Sequence, residues 1–215
     1  SCVILKHGNP CGVSLNNNQT LAYKNALLCD PISAFGGVVA FNQSLSKLTA
    51  KEILKLFTEV VVAPDFDDEA LKLLSSKKNL ILIKYSSVTK NTNFSLKSTR
   101  NFLLIQEKDH LLVSKEDIIV KTKKKVSDKQ REDMIFGFIV AKYINSNAIV
   151  LTKNLSTVGI GVGQTNRLAS TLQAMTQMRK NFPKTKAILA SDGFFPFPDI
   201  VKLCSKNNIL AIIQP

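Results

Sequence analysis

Cys2-Val3-Ile4-Leu5-Lys6-His7-Gly8-Asn9-Pro10-Cys11-Gly12 is the stretch that decides how this chain reads. The apolar run over residues 2–5 predicts a buried strand. It ends in a lysine and the first of two histidines, and a loop of Gly, Asn, Pro and Gly follows at once. A strand that carries Lys and His to its end and then turns sharply is how open α/β sheets build active sites. Histidine changes charge near neutral pH, so it can take or give a proton there. A lysine beside it can stabilise a developing oxyanion. Consecutive residues of an extended strand point to opposite faces, so Lys6 and His7 share a pocket only if the chain bends, and Gly8 permits the bend. The competing reading is a capping histidine beside a solvated lysine.

Working outward, strand-like and helix-like patterns alternate. Thr20 is expected to cap a helix through Leu28, which Asp30-Pro31 stops. Strands follow at 38–41, 60–63 and 80–83. Between them, a capping box at Thr49–Glu52 predicts a helix to about Phe57, and Asp67 predicts one to about Ser75. The Ser-, Thr-, Asn- and Lys-rich stretch 86–100 reads as a loop or linker. Strands are expected at 101–106 and 118–121, then a long helix from a capping box at Ser127–Gln130 to about Tyr143. The pattern then repeats: a strand at 148–151, a glycine turn at 159–163, a helix from about Asn166 to Lys180, and a strand at 187–190. Pro198 is expected as the first residue of a short helix, and 209–213 as the last strand. The alternation implies an α/β fold of two similar lobes, each a mixed sheet with flanking helices. The expected division is 1–85 for the first lobe, 86–126 for a linker with connecting strands, and 127–215 for a truncated second lobe.

The composition narrows the class. The chain has 215 residues, 45% of them hydrophobic, enough for a real core. No stretch is long and apolar enough to span a bilayer. Four cysteines at irregular spacing, with no CxxC pair, argue against a disulfide framework or a zinc ribbon and for reduced thiols, hence a cytoplasmic setting. The chain begins and ends inside apparent strands, with no signal peptide, so it is expected to be a fragment of a longer polypeptide. A net charge of +13 admits nucleic-acid binding. However, the lysines scatter over predicted helix faces, and no aromatics interleave the one tight cluster at 121–125. An anionic small substrate would also suit the charge.

Three further stretches carry chemistry. Asp30-Pro31-Ile32-Ser33-Ala34-Phe35-Gly36-Gly37 and Gly159-Ile160-Gly161-Val162-Gly163-Gln164-Thr165-Asn166-Arg167 each offer glycines that let backbone N–H groups approach an anion; a mere tight turn is the alternative. The second is not the dinucleotide fingerprint, because its third glycine comes one residue early and no acidic residue follows at the usual distance. Ser191-Asp192-Gly193-Phe194-Phe195-Pro196-Phe197-Pro198-Asp199 puts three aromatics in one loop, which make either a wall for a flat ligand or core packing. Zinc deaminase chemistry needs H-x-E and P-C-x-x-C, and neither pattern is met at His7 or Cys11.

Six ordered stretches together resemble the formyltransferase half of the bifunctional purine biosynthesis family: Lys6–Gly12, Asp30–Gly37, Glu59–Pro64, Ser146–Val150, Gly159–Arg167 and Ser191–Phe197. The resemblance spans the whole chain. It implies a cytidine-deaminase-like α/β fold without zinc. It implies transfer of a formyl group from 10-formyltetrahydrofolate, a co-substrate, to the 5-amino group of phosphoribosylaminoimidazolecarboxamide (AICAR), with no metal required. By position, it implies Lys6, His7 and Asn147 as catalytic residues. It places Glu59, Phe194 and Pro196 at the nucleotide, and Phe35, Gly36 and Arg167 at the folate. Ile200 stands where some members place a polar folate contact. Ile144 and Ala148 replace hydroxyl ligands of a monovalent cation that some members bind near Asp192.

The family pattern also contains parts not found here: the cyclohydrolase domain, an Arg-Tyr pair at the nucleotide phosphate, and a C-terminal phosphate-binding arginine. The resemblance implies a homodimer in the full-length protein and no nucleic-acid or membrane partner. The other readings are a catalytically incompetent ligand-binding fragment and a basic RNA-binding α/β domain.

Overall fold

The apolar runs pair into a single sheet. The computed structural model describes residues 1–86 and 93–215. The first half comprises β1 (Cys2–Lys6), β2 (Asn9–Ser14), α1 (Gln19–Cys29), β3 (Gly37–Phe41), α2 (Lys47–Ile53), β4 (Thr58–Ala63), α3 (Asp68–Leu74) and β5 (Ile81–Lys84). A separate hairpin, β6 (Phe94–Ser98) and β7 (Leu103–Glu107), then leads to α4 (Asp128–Lys142). The second half comprises β8 (Ile149–Lys153), β9 (Ser156–Gly161), α5 (Arg167–Asn181), β10 (Ala187–Ser191), α6 (Asp199–Ser205) and β11 (Ile209–Ile213).

Nine strands lie in the order β11-β10-β8-β9-β2-β1-β3-β4-β5. In both halves a hairpin is followed by a helix, by a strand antiparallel to the hairpin's first strand, and by a helix and a parallel strand. The halves join through β2 and β9 at Ser14 and Ser156, whose hydroxyls lie 2.7 Å apart in the buried seam.

Alternation along each strand sorts side chains onto two faces. Ile149 and Leu151 pack with Met175 of α5 and Ile200 of α6, while Ala148 and Val150 pack with Val140 and Ala141 of α4. The second half therefore carries helices on both faces. In the first half, Ile4, Val39 and Val61 pack under α1, α2 and α3. Val38, Val60 and Val62 on the other face are only half-buried, and Ile81 and Ile83 are exposed.

Several expectations are corrected. The loop expected after Gly8 is the strand β2, which pairs with β1 across a two-residue turn. Asn18, not Thr20, caps α1, accepting from Leu21 N. Ser46 caps α2, and Thr49, expected to open a capping box, lies buried inside a helix that ends at Ile53. Strand β6 occupies part of the expected linker; residues 87–92 of that stretch lie outside the described residues. Residues 118–121 form no strand. Pro198 is the N-cap of α6, one position before its first turn. Ser127 and Gln130 do form a complete capping box. Asp67 caps α3 as read.

The glycine turn is also relocated. Gly159 and Gly161 lie within β9, and their missing side chains admit α5: a Cβ would sit 2.2 Å from Ala174 O and 2.0 Å from Ser170 O. These glycines serve helix-on-strand packing rather than anion approach.

Candidate active site

The sheet topology gathers the candidate residues at one edge. The end of β1 bears Lys6, and His7 opens the turn that follows. The ends of β9 and β10 lead to Gln164 and to Ser191-Asp192. The starts of β3, β4 and β8 bring Phe35-Gly36, Glu59 and Asn147 to the same edge.

Lys6 and Asn9 pair across the β1–β2 turn, and His7 (φ 51) and Gly8 (φ 76) are its two central residues. Positive φ at both is what a type I′ hairpin turn demands. The bend expected at Gly8 alone is thus shared by His7, which stands exposed at the tip. Lys6 leaves the strand to donate from Nζ to Phe35 O at 2.5 Å. Asn9 accepts at Oδ1 from Asn145 N (3.1 Å), which ties this turn to the loop before β8.

That loop contains a cis peptide between Ser146 and Asn147. Asn147 Nδ2 donates to Gln164 O (2.8 Å), and Asn147 O accepts from Ser170 Oγ (2.6 Å). Gly163 N donates to Asn145 O (2.8 Å). Ser146 Oγ donates to Asp192 Oδ2. Arg167 is half-buried and clamps the β10 end, with Nη2 on Asp192 Oδ1 (3.0 Å) and Nε on Ser191 Oγ (3.0 Å). Its charge is thus matched by a carboxylate within the protein.

A second cluster adjoins Lys6. Phe35 is 56% exposed and tilts against Phe57, with ring centroids 5.2 Å apart. Gly36 N donates to Phe57 O, and at Gly36 (φ 70) a Cβ would lie 3.5 Å from Glu59 Oε1. Phe35, Gly36 and Glu59 therefore stand together, with Lys6 joining them to the His7 turn. Phe194 and Pro196 lie exposed on the loop after β10, where no described contact links them to this network. Phe195 instead packs into the core of the second half, and Ile200 is buried there.

Sequence reading missed Asn9, Asn145, Gln164 and Ser170, which hold the site through backbone groups. Asn9 lay inside the decisive stretch, yet only its pairing with β8's leading loop gives it a role. Burial pushes the Cys11 thiol up to about 11 and Cys29 up to about 12, so neither is a nucleophile at neutral pH. All four cysteines are free and buried. Among the described residues no group of three or more His, Cys, Asp or Glu is placed to hold a metal ion, and no helix is long and apolar enough to cross a membrane. Neither of two cavities, of about 300 and 440 Å³, includes a candidate residue. The site is an open edge of exposed and half-buried polar groups.

The AICARFT/IMPCHase bienzyme family profile matches residues 1–177. The bifunctional purine biosynthesis protein PurH of Caldicellulosiruptor saccharolyticus is 46% identical over 216 residues, covering 100% of this chain and 42% of that protein. PurH of Clostridium acetobutylicum is 47% identical over 214 residues, covering 100% of the chain and 41% of that protein. PurH of Brachyspira hyodysenteriae is 44% identical over 215 residues. The chain thus spans well under half the length of the relatives it matches. It belongs to the AICARFT/IMPCHase bienzyme family.

Proposed function

We propose that this chain carries the formyl-transfer site of a bifunctional purine biosynthesis protein, moving a formyl group from 10-formyltetrahydrofolate to the 5-amino group of AICAR. The observation that carries the reading is the junction of the His7 turn with the Asn145–Asn147 loop through Asn9, with Lys6 bridging to Phe35. It sets an imidazole, an amide and an ammonium on one open edge beside an exposed aromatic.

In the reaction the amine nitrogen bonds to the formyl carbon and loses a proton, and the bond from that carbon to the folate nitrogen breaks, the nitrogen taking up a proton. The amine is a poor nucleophile, because its lone pair is delocalised into the ring and carboxamide. Positioning and proton removal are therefore the protein's tasks. His7 accepts the proton, aided by the substrate's carboxamide. Asn147 orients His7 or that carboxamide, its own loop held by Gln164 and Ser170. Lys6 stabilises the oxyanion or protonates the departing nitrogen. Glu59, Phe194 and Pro196 are assigned to the nucleotide, and Phe35, Gly36 and Arg167 to the folate. Arg167 is already paired with Asp192, so its role is to shape the β10 loop that a folate would touch.

The same proposal extends to a cytoplasmic homodimer, to a cytidine-deaminase-like two-lobed fold divided near residues 85 and 127, and to chemistry without a metal. Exposed Phe94, Leu96, Phe102, Leu103, Leu104 and Ile105 on the β6–β7 hairpin support association. The test is product formation from AICAR and 10-formyltetrahydrofolate by the longer polypeptide, its Lys6→Arg variant and the 215-residue chain. The parent turns over, while the arginine variant fails despite its charge, because a planar guanidinium does not replace a compact ammonium. The short chain is nearly inactive. No transfer by the parent, or full activity with arginine, contradicts the reading.

A further inference from the structure

The sheet edge opposite the candidate active site is basic and concave. Strand β8 runs from the active-site edge to Lys153, and β10 starts at Ala187 beside it. A five-residue strand spans roughly 16 Å, so the two edges are separate places. A cavity of about 440 Å³ at this far edge is lined by Lys129, Lys153, Lys184 and Lys186, together with Ser127 and Asn154. A second cavity of about 300 Å³ adjoins it through Lys184 and adds Arg179 and Lys206.

None of these six cations takes part in an ion pair among the described residues, although the lysines at 24, 47, 55, 84, 115 and 142 all do. One carboxylate, Asp133, lines the larger cavity, and both its oxygens are already used. They accept from Asn154 N (3.0 Å) and Leu155 N (2.6 Å). Like charges gathered around a concavity repel one another, and Asp133 is the one carboxylate among the lining residues to set against six cations. A ligand bearing several negative charges relieves that repulsion and gains charge-assisted hydrogen bonds. Phe182 is the one aromatic among the lining residues of both cavities, so stacking of successive bases has no platform.

We propose that this far edge is a binding site for a compact, multiply charged phosphate compound, with Lys153, Lys184 and Lys186 as its principal contacts. It is independent of formyl transfer. Inorganic tripolyphosphate is the probe, titrated calorimetrically into the 215-residue chain and into the longer polypeptide. The expected result is saturable binding that weakens with added salt and weakens about tenfold or more in a Lys153→Gln/Lys186→Gln variant. Both positions are exposed, and an unchanged thermal midpoint shows that the variant is folded. Tripolyphosphate should also shield Lys184 from acetylation in the unmutated chain. Absence of binding, binding unaffected by the substitutions, or a uridine oligonucleotide binding more tightly than tripolyphosphate through the same lysines would each overturn the proposal.

Discussion

The two central hairpins have one architecture and two uses. In the first, Lys6 and Asn9 flank His7 and Gly8; in the second, Lys153 and Ser156 flank Asn154 (φ 51) and Leu155 (φ 55). Both turns carry positive φ at their two central residues, and each hairpin is followed by a helix that packs against its second strand. The second turn points to the far edge and is gripped by the buried Asp133, which accepts both of its central N–H groups. The first has no such grip, and it leaves its histidine exposed and its asparagine bonded to a neighbouring loop. Where the turn is tied down by a buried carboxylate, it stabilises the fold. Where it is left open, its histidine stands exposed.

The comparison can be broken at its packing. Gly12 on β2 and Gly159 on β9 admit their helices at equivalent places: a Cβ would meet Ala26 O at 1.9 Å and Ala174 O at 2.2 Å. Gly12→Ala and Gly159→Ala should each cost about 3 kcal/mol or more, because backbone rather than a flexible side chain must yield. Urea unfolding measures both, and a loss in one half alone would show that the halves are not packed alike.

Asp133→Ala removes the grip. Two part-buried N–H groups lose their acceptor, so a loss of about 1–3 kcal/mol in all is expected. Formyl transfer per folded molecule should be unchanged. A fall in turnover without a fall in stability would place Asp133 in the chemistry instead.

The back faces differ too. Val150 is covered by α4, whereas Ile83 on the first half's corresponding face is exposed. Val150→Thr should cost about 1–3 kcal/mol by burying a hydroxyl, and Ile83→Thr less than about 0.5 kcal/mol in this chain. If the longer polypeptide gives Ile83→Thr a larger cost, another segment covers that face.

Alkaline pH should act on both halves at once. The thiols of Cys11, Cys29 and Cys204 are pushed up to about 11, 12 and 12 by burial, against about 8.5 when unfolded. Raised folded values mean that the folded state holds its protons longer. Stability is therefore complete below about pH 8.5 and declines as pH rises toward 11 and 12. Urea midpoints at pH 8 and pH 10.5 measure the decline, and equal midpoints would show the thiols to be less enclosed.

Much of this was legible in the sequence. The apolar runs at 2–5, 60–63 and 187–190 gave strands because four apolar residues in a row leave few other options. Asp67 and Ser127 gave correct caps because the acceptor lies next to a helical pattern. Thr49 misled because Ser46, also an oxygen-bearing residue, stands three positions earlier and binds Thr49 N. Strand β2 was hidden because Asn, Pro and Gly read locally as turn formers, while pairing to β1 and β9 overrides that preference. Gly159 and Gly161 were read as a turn because their reason is α5, which local sequence does not show. Lys6, His7 and Asn147 are assigned from motif order, whereas the Asn9 and Asn145 contact joins residues 136 positions apart and exists only in the fold.

The most direct test exchanges chemistry without touching the turn. Asparagine adopts positive φ more readily than most residues, so His7→Asn in the longer polypeptide should keep the first hairpin and its unfolding midpoint. Formyl transfer to AICAR should fall about 100- to 10,000-fold, the usual worth of a general base. The companion change Asn154→Gly, at the gripped turn, should leave the rate unaltered. Near-parental turnover in His7→Asn would contradict the account, because the open hairpin would then be as structural as its counterpart.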